Sequence, residues 1–178
     1  MIESNSLSLR IVHINLATII ALALFLFDSS FRSYAQSGTI KATYGAWNLK
    51  CGQAPGSKNE KCALVQSVTA EDRPNVGLTV IFLKSVDGKR KLLRIIAPLG
   101  VLLPPGLGLK IDNSDMGHTK FLKCGKIGCI AEAVVKEDFL KKFQSGSTAV
   151  FIIFQTPEAG IGIPIQLQGF RKGLASLK

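Results

Sequence analysis

Catalytic signatures are what this sequence most clearly lacks. It contains no G-x-S-x-G nucleophile elbow, no Walker phosphate loop, no H-E-x-x-H zinc motif and no dinucleotide fingerprint. Histidine is also scarce, since His118 is the single one after residue 35. A nucleophile–base pair would have to use His118 or an unusual lysine, while carboxylates paired only by the fold stay open. We therefore expect a protein with no enzymatic activity and no cofactor.

A long hydrophobic run is missing too. The longest apolar stretch extends from Ile11 to Phe27 and is interrupted by polar residues, whereas a membrane-spanning helix needs about 20 apolar residues. Arg10 precedes this stretch, and the polar segment after it ends in Ser33-Tyr34-Ala35, the pattern of a signal-peptidase site. We predict a signal peptide over residues 1–35 and one domain over residues 36–178. An uncleaved membrane anchor is the alternative.

Negative charge is in short supply. The chain has 22 Lys and Arg against 12 Asp and Glu, a net charge of +10. Residues 1–35 contain two charges of each sign, so the whole excess lies in residues 36–178. Such a field favours acidic partners, for example lipopolysaccharide, anionic lipid or sulfated glycans. We expect an acidic envelope or host-surface component, with a protein partner also open. Nucleic acid is not expected, because the aromatic interleaving that single strands need is missing.

Four cysteines follow residue 35, which is the pattern of an exported, disulfide-bonded domain. Of the three possible pairings we favour the local ones, Cys51–Cys62 and Cys124–Cys129. Gly125 and Gly128 bracket a tight turn between the second pair, as in a hairpin closed by a bridge. A zinc site is the rival, but only Cys124-x₄-Cys129 comes close to zinc-ligand spacing. No C-x-x-C redox motif is present.

Short β-segments separated by turn residues fill most of residues 36–178. Alternation places Trp47, Leu49 and Cys51 on one face of a strand. Strands over 76–84 and 92–97 flank an Asp87-Gly88 turn. We predict further strands over 62–68, 107–112, 121–124, 129–134, 148–155 and 163–170. About eight strands at this spacing favour a β-sandwich.

One segment reads as a helix that packs on the sheets. Glu137 and Asp138 open it and Ser145-Gly146 end it, a charge order that complements the helix dipole. Phe139 and Phe143 stand four residues apart and therefore share a face. A second short helix is predicted after Phe170.

The pattern as a whole resembles the invasion-associated locus B (IalB) family of Gram-negative bacteria. The matching residues, in chain order, are Tyr44-Gly45-Ala46-Trp47, Cys51, Cys62, Gln66, Ala97-Pro98-Leu99-Gly100-Val101, Cys124, Gly128-Cys129, Phe139 to Phe143 and Gly169-Phe170. The resemblance implies an immunoglobulin-like β-sandwich and export to the periplasm or outer membrane, with the cell surface and the medium left open. It implies no reaction.

Two functions follow as hypotheses. The first is an exported envelope-associated or secreted binding protein that assists entry into host cells such as erythrocytes, as the resemblance implies for pathogenic members. The second is a general periplasmic or outer-membrane structural or chaperone-like partner with no role in invasion.

Lysines and arginines supply the candidate binding residues. They form one patch if the Asp87-Gly88 turn and the disulfide hairpin lie at the same end of the sandwich; otherwise they are a solvated charged face. The members are Lys89, Arg90, Lys91, Lys110, Lys120, Lys123 and Lys126.

Three further features each have two interpretations. Trp47 is a core anchor rather than an aromatic ligand platform, because large aromatics next to a disulfide are usually buried. Residues 98–106 form either a corner between two sheets or an exposed docking loop. His118, with Asp112 and Asp115, forms either a plain exposed loop or a metal site.

Overall fold

The computed structural model describes residues 38–53, 59–70 and 73–177. The predicted signal peptide over residues 1–35 lies outside the described residues. Within the described ranges, no helix is long and apolar enough to cross a bilayer.

The described ranges form eleven β-strands and two α-helices. The strands are β1 (Thr39–Tyr44), β2 (Trp47–Gln53), β3 (Glu60–Ala70), β4 (Arg73–Lys84), β5 (Lys91–Ala97), β6 (Leu107–Ile111), β7 (Ser114–Thr119), β8 (Phe121–Gly125), β9 (Gly128–Val134), β10 (Thr148–Phe154) and β11 (Gly160–Gln166). The helices are α1 (Glu137–Ser145) and α2 (Phe170–Ala175).

The strands pair into two antiparallel sheets. The larger sheet has seven strands in the order β1-β2-β3-β4-β5-β9-β8, and the smaller has four in the order β11-β10-β6-β7. The predicted β-sandwich is confirmed, because strands of both sheets alternate buried and more exposed residues around one core. In β5, Leu93, Ile95 and Ala97 are buried; in β10, Ala149, Phe151 and Ile153 are buried. Each large apolar side chain buried in this way contributes about 1.5–3 kcal/mol.

Trp47 is a core anchor, as the sequence indicated. It is fully buried, its ring packs on Phe143 of α1 and Phe170 of α2, and its Nε1–H donates to the Gln166 carbonyl at 3.0 Å. The predicted helix face is also confirmed, since Phe139 stacks on Phe143 and Phe143 is buried. Both helices therefore close the core through aromatic rings rather than lying on the surface.

Gln66 is a structural residue whose role was not predicted. It is 3% exposed and lies on β3. Its Nε2 donates to the Gln166 carbonyl at 2.8 Å, and its Oε1 accepts the Gln166 N–H at 3.0 Å. The side-chain amide thus satisfies both backbone groups of a residue in the opposite sheet, which fixes β11 over β3. A buried glutamine in an apolar alternation was the available signal, because such a group must find partners.

Nine segments were predicted as strands and eleven strands are present in the described residues, because two strands were missed. Strand β1 contains one aromatic residue and only weak alternation of apolar and polar residues. Strand β7 lies where an exposed loop was predicted, and its Ser-Asp-Met-Gly-His-Thr composition is poor in β-branched residues. Both strands lie at the edge of a sheet, where one neighbour supplies the pairing. In both cases, pairing with the neighbouring strand outweighed the low strand propensity of the segment's own residues.

Candidate functional site

Both disulfides are the local ones favoured from the sequence. Cys51 on β2 is bonded to Cys62 on β3, and Cys124 on β8 is bonded to Cys129 on β9. Each pair sits directly opposite across two antiparallel strands. Glu60 approaches the first pair as a third possible metal ligand. Because the two sulfurs are bonded to each other, they are not available as thiolate ligands, and Glu60 instead pairs with Lys41 at 3.3 Å.

The basic residues do not form one patch, which corrects the sequence hypothesis. Lys84 pairs with Lys91 beside the turn over residues 85–90, whereas Ala97 pairs with Cys129 beside the turn between β8 and β9. The two turns therefore lie at opposite ends of β5, a distance of about 20 Å at the usual strand rise. Lys110 is separate from both, since it lies on β6 of the smaller sheet opposite Asp115.

The turn over residues 85–90, called here the distal turn, is held by its own acidic neighbours. The Asp87 carboxylate accepts hydrogen bonds from the Ser85 hydroxyl and from the Lys89 N–H at 3.1 Å. The Ser85 hydroxyl, and then the Lys89 N–H, hold the pKa of Asp87 below its usual value. Lys91 pairs with Glu137 at 2.9 Å. Lys91 is thus paired and the charge of Arg90 acts on Asp87, while no ion pair within the described residues reaches the Lys89 side chain.

The opposite end is formed by residues 98–106 and 119–128, which we call the tip. These two segments adjoin each other, because a Cβ on Gly106 would meet the Thr119 carbonyl and one on Gly128 would meet the Ala97 carbonyl. The tip contains Lys120, Lys123 and Lys126 but no Asp or Glu. All three lysines are exposed. No ion pair within the described part of the chain reaches any of them.

Large apolar side chains also project from the tip. Leu99 is 57% exposed, Leu103 50%, Leu122 65% and Ile127 71%. Leu122 occupies the irregularity in β8–β9 pairing between Phe121 and Lys123, the kind of bulge that redirects a side chain. Ile127 follows Lys126 in the two-residue turn that the Gly125–Gly128 pair closes. Neither Lys126 nor Ile127 has a positive φ, so this turn does not require the Asn, Asp or Gly that two-residue hairpin turns usually carry, and its backbone accepts a Lys-Ile pair.

Residues 98–106 form a corner between sheets, which is the first of the two sequence interpretations. They lead from β5 of the larger sheet to β6 of the smaller one, which makes them a corner between sheets. Val101 is buried, and the Leu102 N–H donates to the Phe154 carbonyl at 2.7 Å, so the backbone of the corner is fixed. Leu99 and Leu103 nevertheless face solvent. The segment is therefore a rigid corner that presents two leucines.

His118 lies on a strand and not on the predicted loop, although it is exposed as expected. Asp112 and Asn113, both with positive φ, form the turn between β6 and β7. The Asp112 carboxylate accepts the N–H groups of Thr148 and Ser147, at 2.9 Å from its nearest oxygen in each case, and these bonds lower its pKa. It anchors the start of β10 rather than joining His118 in a metal site.

An apolar cavity of about 200 Å³ lies between the two sheets. It reaches the core side chains Leu93, Leu107 and Phe151. The lining also includes Lys136 and His118. The walls offer mainly hydrophobic contact.

These features define a class: a small, mainly β sandwich, stapled by two disulfides, whose tip combines lysines with exposed leucine and isoleucine side chains and contains no Asp or Glu. The family model of the invasion associated locus B (IalB) protein matches residues 47–178. The chain therefore belongs to the IalB family.

Relatives agree with this assignment. The chain is 25% identical over 150 residues to "Invasion protein B" of Bartonella bacilliformis, covering 79% of this chain and 76% of that protein. It is 23% identical over 152 residues to an "Invasion protein B homolog" of Brucella abortus strain 2308, covering 82% and 86%. The crystal structure of invasion associated protein b from Bartonella henselae matches with a TM-score of 0.64 at 21% identity, covering 78% of this chain and 95% of that one. This last likeness supports the fold.

Proposed function

We propose that this chain is an exported, envelope-associated or secreted binding protein that assists entry into host cells, and that its tip binds an acidic component. The observation that carries the proposal is the separation of charge in the larger sheet. Beside the distal turn, Glu137 pairs with Lys91 and the charge of Arg90 acts on Asp87, whereas the three lysines of the tip have no ion pair within the described residues. Unpaired cations without acidic neighbours are available to an external anion.

Export is supported by the cysteines. All four are oxidised in local bridges, which is the state that persists in the periplasm or outside the cell. Cell fractionation with mass spectrometry of the N-terminus tests this part. We expect an envelope or secreted pool that begins at Gln36. A cytoplasmic pool with reduced thiols would contradict export.

The role in entry rests on the family and on the relatives named as invasion proteins. The test is a deletion strain complemented with the parent chain, with Lys120→Glu/Lys123→Glu/Lys126→Glu, or with Lys89→Glu/Arg90→Glu as the matched control. We expect entry to fall on deletion, to return with the parent and the control, and to stay low with the tip variant. Normal entry by the deletion strain, with expression confirmed in the parent, would instead favour the general envelope role.

Binding is proposed without catalysis. His118, the histidine that catalysis would most readily use, is exposed on an edge strand. We expect His118→Ala to leave both entry and acidic-ligand binding unchanged. A hydrolytic activity that disappears in this variant would overturn the assignment as a binding protein.

A further inference from the structure

We infer that the acidic component is an anionic phospholipid bilayer, and that the tip docks on it by placing leucine and isoleucine side chains below the headgroups. This inference rests on the proposed function of the tip and names its partner. The structure supplies two independent reasons, one apolar and one electrostatic.

The apolar reason is where the exposed side chains lie. Seven large hydrophobics of the described residues are exposed, and the four of them at the tip are Leu99, Leu103, Leu122 and Ile127. Scattered single hydrophobics on a surface need no explanation, but a group at one end marks an interaction site. A soluble glycan or a free phosphate would leave these side chains in water. A bilayer accepts them.

The electrostatic reason is charge complementarity. Lys126 and Ile127 are neighbours in one turn, and Leu122 is followed at once by Lys123. A peripheral membrane site has this arrangement, with cations at headgroup level beside apolar groups that reach the acyl boundary. The tip itself contains no Asp or Glu that would repel an anionic leaflet, and the adjoining turn between β10 and β11 has one exposed acidic residue, Glu158.

The tip is also built to stay in shape on contact. The Cys124–Cys129 bridge closes the hairpin, and the Leu102–Phe154 hydrogen bond fixes the corner. A rigid surface loses less conformational entropy on docking than a disordered segment does. The side chains are therefore presented before the bilayer is met.

Vesicle flotation tests the inference, with the protein in the form that its producing cell releases. Vesicles of phosphatidylcholine with phosphatidylglycerol are compared with vesicles of phosphatidylcholine alone. We expect binding to the anionic vesicles only, weakened but not abolished by salt. Equal binding to both, or to neither, would overturn the inference.

Two tip variants separate the two reasons. The first variant removes the apolar contacts and is Leu99→Ser/Leu103→Ser/Leu122→Ser/Ile127→Ser. The second variant removes the charge and is Lys120→Gln/Lys123→Gln/Lys126→Gln. We expect each variant to weaken binding to the anionic vesicles about 100-fold. The control variants, Ile40→Ser/Val86→Ser and Lys89→Gln/Arg90→Gln, each replace two exposed side chains elsewhere and are expected to bind as the parent does. Since every replaced side chain is exposed, the variants should keep the parent's circular dichroism and Tm.

The outcomes separate this inference from the proposed function. If the lysine variant loses binding but the serine variant does not, the tip binds anions without entering a bilayer, and the inference fails while the proposed function stands. If vesicle binding behaves as expected but the deletion strain enters host cells normally, the proposed role in entry fails and the bilayer inference stands.

Discussion

The two ends of strand β5 carry similar numbers of basic residues but differ in what surrounds them. At the distal turn, Asp87 accepts a hydrogen bond from the Lys89 N–H, and Glu137 pairs with the adjacent Lys91. At the tip, acidic side chains are missing and large apolar side chains replace them. A count of lysines therefore does not define a binding surface. The neighbours of a lysine, both carboxylates and exposed apolar side chains, decide what it can bind.

The two turns differ most in how strictly the backbone requires glycine at one position. Gly128 has a φ of +127°, and a Cβ there would collide with the Ala97 carbonyl oxygen. Gly88 has a φ of +70° and open space around it. We expect Gly128→Ala to lower the free energy of unfolding by about 4 kcal/mol, and the matched Gly88→Ala by about 1 kcal/mol. Urea unfolding measures both values. Equal losses would contradict the close packing of the tip hairpin against β5.

Each end of the larger sheet also has one disulfide, and the bridges close loops of different length. Cys51–Cys62 spans 11 residues and Cys124–Cys129 spans 5. Loop-closure entropy predicts a loss of about 3 kcal/mol for Cys51→Ala/Cys62→Ala and about 2 kcal/mol for Cys124→Ala/Cys129→Ala. Thermal and urea unfolding under identical buffer conditions check the order. A larger loss from the short loop would mean that the bridge at the tip does more than restrict the unfolded chain.

The distal turn should respond to acid through Asp87. Its folded pKa is held below the usual value, so its carboxylate stabilises the fold above the unfolded pKa of about 4, and this contribution disappears as the pH falls through the folded pKa. We expect Asp87→Asn to lower Tm at neutral pH and to match the parent at strongly acid pH. Melting curves across that range test it. A difference that persists unchanged in acid would show that the charge of Asp87 is not the cause.

The smallest expected effect concerns the ion pair that neutralises Lys91. Glu137 is 72% exposed in its side chain, so the pair lies largely in water. We expect Glu137→Gln to change the free energy of unfolding by no more than about 0.5 kcal/mol. The Glu137→Gln variant is useful in the binding assay, because it makes the region of the distal turn more basic without adding apolar groups. Anionic vesicle binding should stay at the parent level, and a clear gain would mean that charge alone is sufficient.

The sequence predicted those parts of the fold that depend on local pattern. Trp47 in a strict alternation with Leu49 and Cys51 had to face the core, and the charge order around Phe139 and Phe143 set the bounds of α1. Both cysteine pairings followed from short loops and turn residues. The edge strands β1 and β7 were not predictable in this way, because their pairing comes from a neighbour and not from their own composition.

Only some residues of the candidate site were predicted, since Leu122 and Ile127 were not singled out, and their arrangement was not predicted. The sequence identified three lysines of the tip, Lys120, Lys123 and Lys126, and the leucine-containing segment 98–106. The register of β5 against β4 and β9 decides which turns lie at the same end of the sheet. Register is a long-range property. It separated Lys89 from Lys126 and brought the corner beside the disulfide hairpin. The bulge that exposes Leu122 likewise depends on pairing and left no signal in the sequence.

The most direct measurement is an amine-reactivity map of the lysines, read by mass spectrometry with and without anionic vesicles. If the tip docks on the bilayer, Lys120, Lys123 and Lys126 lose reactivity on vesicle binding. Lys89 of the distal turn and the exposed Lys172 of α2 keep theirs. Protection of Lys89 in place of the tip lysines, or a uniform change at every lysine, would show that the docking end has been assigned wrongly.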